Sequence, residues 1–289
     1  MLTSLKINNN VFEYSKFGFP NYSLWKTLSG NRTERRIAAA VKAAEEDGGA
    51  LFYTYRNIWK YFYITVSSNN VVHMPRMYLN SFIYAFGSAV TSTLVPCVAA
   101  YLCARYNFKF SKIMRNTVIV VMIIPIIGSM PSEIAMAKRL GMLDTFWGLW
   151  VMKANFLGLY FLVFYDIFKA MPMAFTEAAK IDGATNMQIL IKIGLPLAKN
   201  TISTVFLIRF VEFWNDYQTP MVFMSSFPTV AKGLNDLING NLAISGTFNP
   251  QQTPARMAAV VMTGLPVLVL FLVFQNKLMS NLTMGGVKG

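Results

Sequence analysis

The sequence predicts an all-α protein, a polytopic transmembrane helical bundle with five spans. Three observations carry that expectation. Hydrophobic side chains make up 54% of the 289 residues and charged ones only 13%, with a mean hydropathy of +0.42, well away from the composition of a soluble domain. A span needs about 20 mostly apolar residues, and five stretches supply them: 77–104, 116–132 continuing to about 137, 145–165, 200–224 and 257–276. The basic residues gather between these stretches, where they act as topology determinants.

That placement decides what the formal charge of +13 means. Spread over one face it would suit a nucleic acid; lying mostly outside the apolar runs it sets orientation, so no nucleic-acid partner is expected. Cys97 and Cys103 lie in one apolar run without CxxC spacing, and His73 is the single histidine. Both cysteines therefore read as small buried hydrophobes, and no metal site is expected. No GxxxxGK[ST] occurs, so the chain has no phosphate-cradling loop of its own.

In chain order, residues 1–76 form an extracytoplasmic N-terminal segment. Thr33-x-x-Arg36 opens an Ala-rich, charged stretch that reads as a short helix stopping at Asp47-Gly48-Gly49. Tyr53, Tyr55, Trp59, Tyr61, Phe62 and Tyr63 then make an aromatic cluster. It reads as an interfacial belt, with a docking face for an external protein as the alternative. The transmembrane domain covers 77–280. Arg105, Lys109, Lys112 and Arg115 join its first two spans without an acid, and Lys169, Lys180, Lys192 and Lys199 mark the link between the third and fourth. Both links should face the cytoplasm. Five spans then put the N-terminal segment outside and residues 281–289 in a cytoplasmic tail. The N-terminal segment is itself basic, but the rule weakens for loops beyond about 60 residues. Lys153, inside the third span, is expected to snorkel toward an interface.

The loop at 170–199 is the most informative part of the chain. Residues 176–181 have helical composition, with Glu177 expected in a first turn, where the helix dipole favours a negative charge. Asp182-Gly183 should stop that helix, since glycine accepts the left-handed conformation of helix ends. Thr185, with Gln188 three residues on, predicts a capping box for a second helix. Met187, Leu190 and Ile191 follow at helical spacing, and Pro196 closes the unit.

Glu177, Ala178 and Ala179, then Asp182-Gly183, then Ile193, Leu195 and Pro196 stand in the order and spacing of a Glu-Ala-Ala, three residues, Gly, nine residues, Ile-x-Leu-Pro element. In that register the loop resembles the EAA loop of ABC importer permeases. Trp214-Asn215-Asp216-Tyr217 and the ending from Asn281 to Gly289 narrow the resemblance to the maltose-type carbohydrate importers, and within them to the second permease subunit. It covers about residues 50–289 and leaves 7–50 unexplained.

The resemblance implies a type I importer permease fold in a multi-pass protein of the bacterial inner membrane. It implies a second permease subunit, two ATPase subunits and an extracytoplasmic solute-binding protein as partners. ATP and Mg would be bound by the ATPases and no cofactor by this chain, which would perform no covalent chemistry. Glu177, Ala178, Ala179, Asp182, Gly183, Ile193, Leu195 and Pro196 would couple the loop to the ATPase. Family members carry one span more, and Met1-Leu2-Thr3-Ser4-Leu5-Lys6 looks like the exit of that first span; the family's first span is thus missing from this chain, through a late start, the preferred reading, or through true absence.

Charges inside the fourth span are costly in lipid and should face protein or water. Arg209 and Glu212 are three apart and can meet on one helix face, as a structural ion pair or as lining of a translocation path. Asn215 and Asp216 can bond hydroxyls, while Trp214 and Tyr217 can stack on a sugar ring or pack a core. Arg209 keeps an anionic sugar derivative open. The expected cargo is a carbohydrate, in particular an oligosaccharide. Another solute class, or a self-contained secondary transporter, is the alternative; the latter usually shows internal repeats, and none is evident.

Overall fold

The computed structural model describes residues 53–67, 70–106, 109–124, 128–240 and 253–283. The expected helix at 33–49, the exit-like start at 1–6 and the tail residues 284–289 lie outside the described residues. The chain divides into two compact units, Met1–Ser81 with Asp216–Phe271, and Phe82–Asn215 with Leu272–Gly289.

The first unit contains the one departure from all-helical structure among the described residues. α1 (Tyr53–Tyr61) is followed by an antiparallel hairpin of β1 (Tyr63–Ser67) and β2 (Asn70–His73), with Tyr63 opposite His73 and Ile64 opposite Val72. Ile64 and Val72 point into the core while Thr65 and Val71 point out, the two-residue period of a half-buried strand. The hairpin overlaps the aromatic cluster expected to be a membrane belt. Phe62 is buried in the core with Ile58, while Trp59 is exposed and tilts against Tyr78.

α2 (Met74–Arg105) begins here. Tyr78 donates to the Met262 carbonyl at 2.8 Å, and Asn80 Nδ2 donates to the Pro228 carbonyl at 3.1 Å. The Ser81 hydroxyl accepts the Val230 N–H at 2.8 Å. These bonds tie the start of α2 to α11 (Val230–Ile238) and to α12 (Thr253–Thr283). Satisfying such buried polar groups internally is what permits them in an apolar setting. Met74, Met77, Leu237, Ala258 and Ala259 fill the space between.

In the second unit the remainder of α2 packs with α3 (Lys109–Ile123), α6 (Leu159–Ala170), α8 (Asn186–Leu197) and α9 (Lys199–Asn215). Phe161, Phe164 and Phe168 recur at three and four residues along α6, one helix face, and all are buried. Cys97 and Cys103 are free thiols buried in the same cluster.

The expected spans are only partly continuous. α2 and the part of α12 at Ala255–Gln275 are each long and apolar enough to cross a bilayer; two bent helix pairs would raise the number to 4. The stretch expected at 116–137 is α3 and α4 (Met130–Arg139), with Pro131 in the first turn of α4. That at 145–165 is α5 (Phe146–Lys153) and α6, parted where Asn155 Oδ1 accepts the Leu157 N–H. That at 200–224 is α9 and α10 (Gln218–Phe223). Apolar length is blind to such breaks, because a side chain that bonds its own backbone competes with the helix without changing hydropathy.

Candidate functional site

The loop between α6 and α9 is built from two short helices. α6 turns by 68° into α7 (Met173–Ile181), and α8 turns by 74° into α9. Pro172 supplies the first bend, since it has no N–H to continue α6 and suits the start of a helix. α7 therefore begins at Met173, and Glu177 lies one turn further in than expected. No acid occupies the first turn, so the dipole argument for Glu177 does not hold.

Asp182 caps the end of α7. Ala184 N–H donates to the Ala179 carbonyl at 2.9 Å and Gly183 N–H to the Lys180 carbonyl at 3.1 Å, with Gly183 at φ +77°. Those two bonds are a Schellman stop with its left-handed glycine. At α8 the Thr185 hydroxyl accepts the Gln188 N–H at 3.3 Å, while Gln188 Oε1 accepts the Thr185 N–H at 2.8 Å, completing the capping box. Residues Leu190–Gly194 widen into a π turn. That turn contains Lys192, four residues before Pro196, so it eases the clash of the proline ring with the preceding carbonyl. Pro196 lies within the last helical turn, Leu195–Leu197, just before the bend.

Glu177, Ala178, Asp182, Gly183 and Pro196 are exposed; Ala179, Ile193 and Leu195 are partly buried. Sequence reasoning named Met187 and Ile191 by their spacing but not their exposure, and it did not single out Phe175 or Ile181: Ile181 is 85% exposed and Met187 63%, with Phe175 and Ile191 also open. Leu190, by contrast, is buried. Ile181 carried a signal, an isoleucine directly before the helix stop with only Ala184 and Thr185 three and four residues on.

Along α9, Arg209 Nη1 donates to Glu212 Oε2 at 2.8 Å, and its guanidinium lies 4.4 Å over the Tyr160 ring. Both charged side chains are partly exposed, at 31% and 48%. Lys153, expected to extend toward an interface, sets its Nζ 5.6 Å over Phe213. Trp214 is buried and stacked on Phe210 at 5.9 Å, so it packs. Asn215 is exposed, with Nδ2 donating to the Val211 carbonyl at 2.9 Å. In the other unit Asp216 Oδ1 accepts the Thr219 N–H at 3.0 Å at the start of α10, and Tyr217 is exposed. Among the described residues no cluster of three or more metal-ligating side chains occurs.

Residues 92–278 match the family described as binding-protein-dependent transport system inner membrane component, and the chain belongs to that family. It is thus a permease subunit of a transport system rather than an enzyme, and a membrane protein. It is 28% identical over 231 residues to the sulfoquinovosyl glycerol transport system permease protein SmoH of Agrobacterium fabrum, covering 78% of this chain and 77% of that one. It is 30% identical over 210 residues to the sn-glycerol-3-phosphate transport system permease protein UgpE of Yersinia pestis, 72% of each chain. The maltodextrin transport system permease protein MdxG of Bacillus subtilis is 28% identical over 229 residues, 73% of this chain and 75% of that one. The fold resembles a chain in the crystal structure of a bacterial ABC transporter involved in the import of the acidic polysaccharide alginate. The TM-score is 0.59 at 22% identity, over 86% of this chain and 99% of that chain.

Proposed function

We propose that this chain is one permease subunit of an ATP-driven importer that carries a carbohydrate, in particular an oligosaccharide, into the cell. It pairs with a second permease, two ATPase subunits that bind ATP and Mg, and an external solute-binding protein. Five segments of the chain cross the bacterial inner membrane, with the N-terminal segment outside and the loop and tail in the cytoplasm. The loop is the element on which the ATPase pushes. Glu177, Ala178, Ala179, Asp182, Gly183, Ile193, Leu195 and Pro196 shape or meet that contact, and Ile181 and Met187 supply apolar surface for it. The reading of the cargo as a carbohydrate is supported by the relatives named for sulfoquinovosyl glycerol and maltodextrin transport, and the relative named for sn-glycerol-3-phosphate keeps a smaller polyol derivative open. Arg209, Glu212 and Asn215 offer a donor fork, an acceptor and an amide to hydroxyl groups. Trp214 backs them by packing; Asp216 and Tyr217 belong to the same reading of the path.

The observation that carries the coupling role is the bend: a two-helix elbow, stopped by a glycine and held by a capping box, turned 68° and 74° from its flanking helices. Valine at position 183 tests it. A β-branched residue in the left-handed region costs about 1–2 kcal/mol, enough to redraw the stop. Gly183→Val should leave membrane abundance unchanged while uptake falls strongly and ATPase co-purification weakens. Normal uptake would sink the assignment.

A further inference from the structure

The last two turns of α2 meet both limbs of the elbow. Arg105 Nη1 donates to the Met171 carbonyl at 2.9 Å and lies 3.1 Å from Met173 Sδ. Its Nη2 donates to the Pro172 carbonyl at 3.2 Å and to the Thr176 hydroxyl at 3.1 Å. One guanidinium therefore spans the bend where α6 becomes α7. Thr176 is the buried residue of α7. A turn earlier, Tyr101 is buried with its ring edge-on to Phe168 at 5.2 Å. A Cβ at position 194 would stand 2.8 Å from Tyr101 Cε2, so only glycine lets the π turn of α8 approach this closely.

We propose that Arg105 is a positioning residue that fixes the angle of α7 against the end of α2, so that force on the loop moves the spans instead of swinging the loop. This rests on the reading of the loop as the coupling element. The competing role for Arg105 is that of one more basic residue setting orientation, and lysine would fill that role equally well. A planar fork reaches two carbonyls and a hydroxyl together; an ammonium on a flexible stem is a point charge.

The test uses the assembled importer in membranes, with Cys97 and Cys103 replaced by Ala and a nitroxide on a cysteine replacing exposed Lys180. Expected is several-fold faster label motion in both R105Q and R105K, with unchanged insertion and fewer substrate molecules taken up per ATP hydrolysed. Thr176→Val, which removes one arm, should shift both readings the same way by less. Unchanged label motion in R105Q overturns the proposal. So does full restoration by R105K, which would leave only the charge. If R105Q fails to insert, Thr176→Val decides, and unchanged motion there overturns the proposal. Faster motion with undiminished uptake per ATP would uphold Arg105 as what sets the loop and overturn the loop's coupling role.

Discussion

Asn215 ends α9 with its side chain exposed and bonded back to Val211 in the same helix. An amide so placed in a span is either solvated or covered by a polar partner, because an amide left unpaired in hydrocarbon costs several kcal/mol, about 4–8 on water-to-cyclohexane scales. The proposed path makes the first case. Cysteine at 215, in a background lacking Cys97 and Cys103, should react with a small polar thiol reagent. Adding substrate with a non-hydrolysed ATP analogue should change the rate. A cysteine that labels in no state of the transport cycle would make Asn215 a packing residue. At this scale the two tryptophan readings separate as well. Spacing places Trp214 beside Asn215, but only tertiary contact shows the indole stacked on Phe210.

Helix ends in the loop were legible because their chemistry is local. Thr185 and Gln188 are three residues apart, and Asp182-Gly183 carries its own stop. The capping box is therefore a quantitative handle on the element. Losing the threonine should cost about 1 kcal/mol, a factor of about 5 in the opening equilibrium. Hydrogen exchange of the amides at Met187–Ile189 should accelerate by that factor in Thr185→Ala, with Thr185→Ser close to the parent. No acceleration in the alanine variant would show that packing of Ile189 and Leu190, both buried, holds α8 without its cap. The contact that orients α7 was illegible for the opposite reason. Arg105 and Met171 are 66 residues apart, and a basic residue after an apolar run already has a sufficient explanation in topology. The hairpin at Tyr63–His73 was hidden by composition, since its aromatic residues also suit a membrane interface.

For the molecule as a whole, loop charge predicts which side each part faces. Arg105, Lys112, Arg115, Lys180, Lys192 and Lys199 flank or occupy the two links assigned to the cytoplasm. With cysteine at exposed Thr65 in β1, an impermeant thiol reagent should label intact cells. With cysteine at exposed Lys180 it should label only after permeabilisation. The reverse pattern would invert the orientation and remove the loop from any cytoplasmic partner. The continuity of the spans is poorly legible in the sequence. Hydropathy sums over 200–224 without registering that Asp216 gives its carboxylate to the Thr219 N–H and starts a new helix.

Biosynthesis meets α9 one residue at a time. A guanidinium entering hydrocarbon alone costs about 2.5–3.5 kcal/mol by translocon scales. Tyr160, whose ring faces Arg209 at 4.4 Å, is already made when Arg209 emerges, and Glu212 follows three residues behind to close the pair at 2.8 Å. The charge is thus answered by its own helix and by an earlier one. With α9 as one of the proposed spans, its release from the translocon into lipid need not await the helices still on the ribosome.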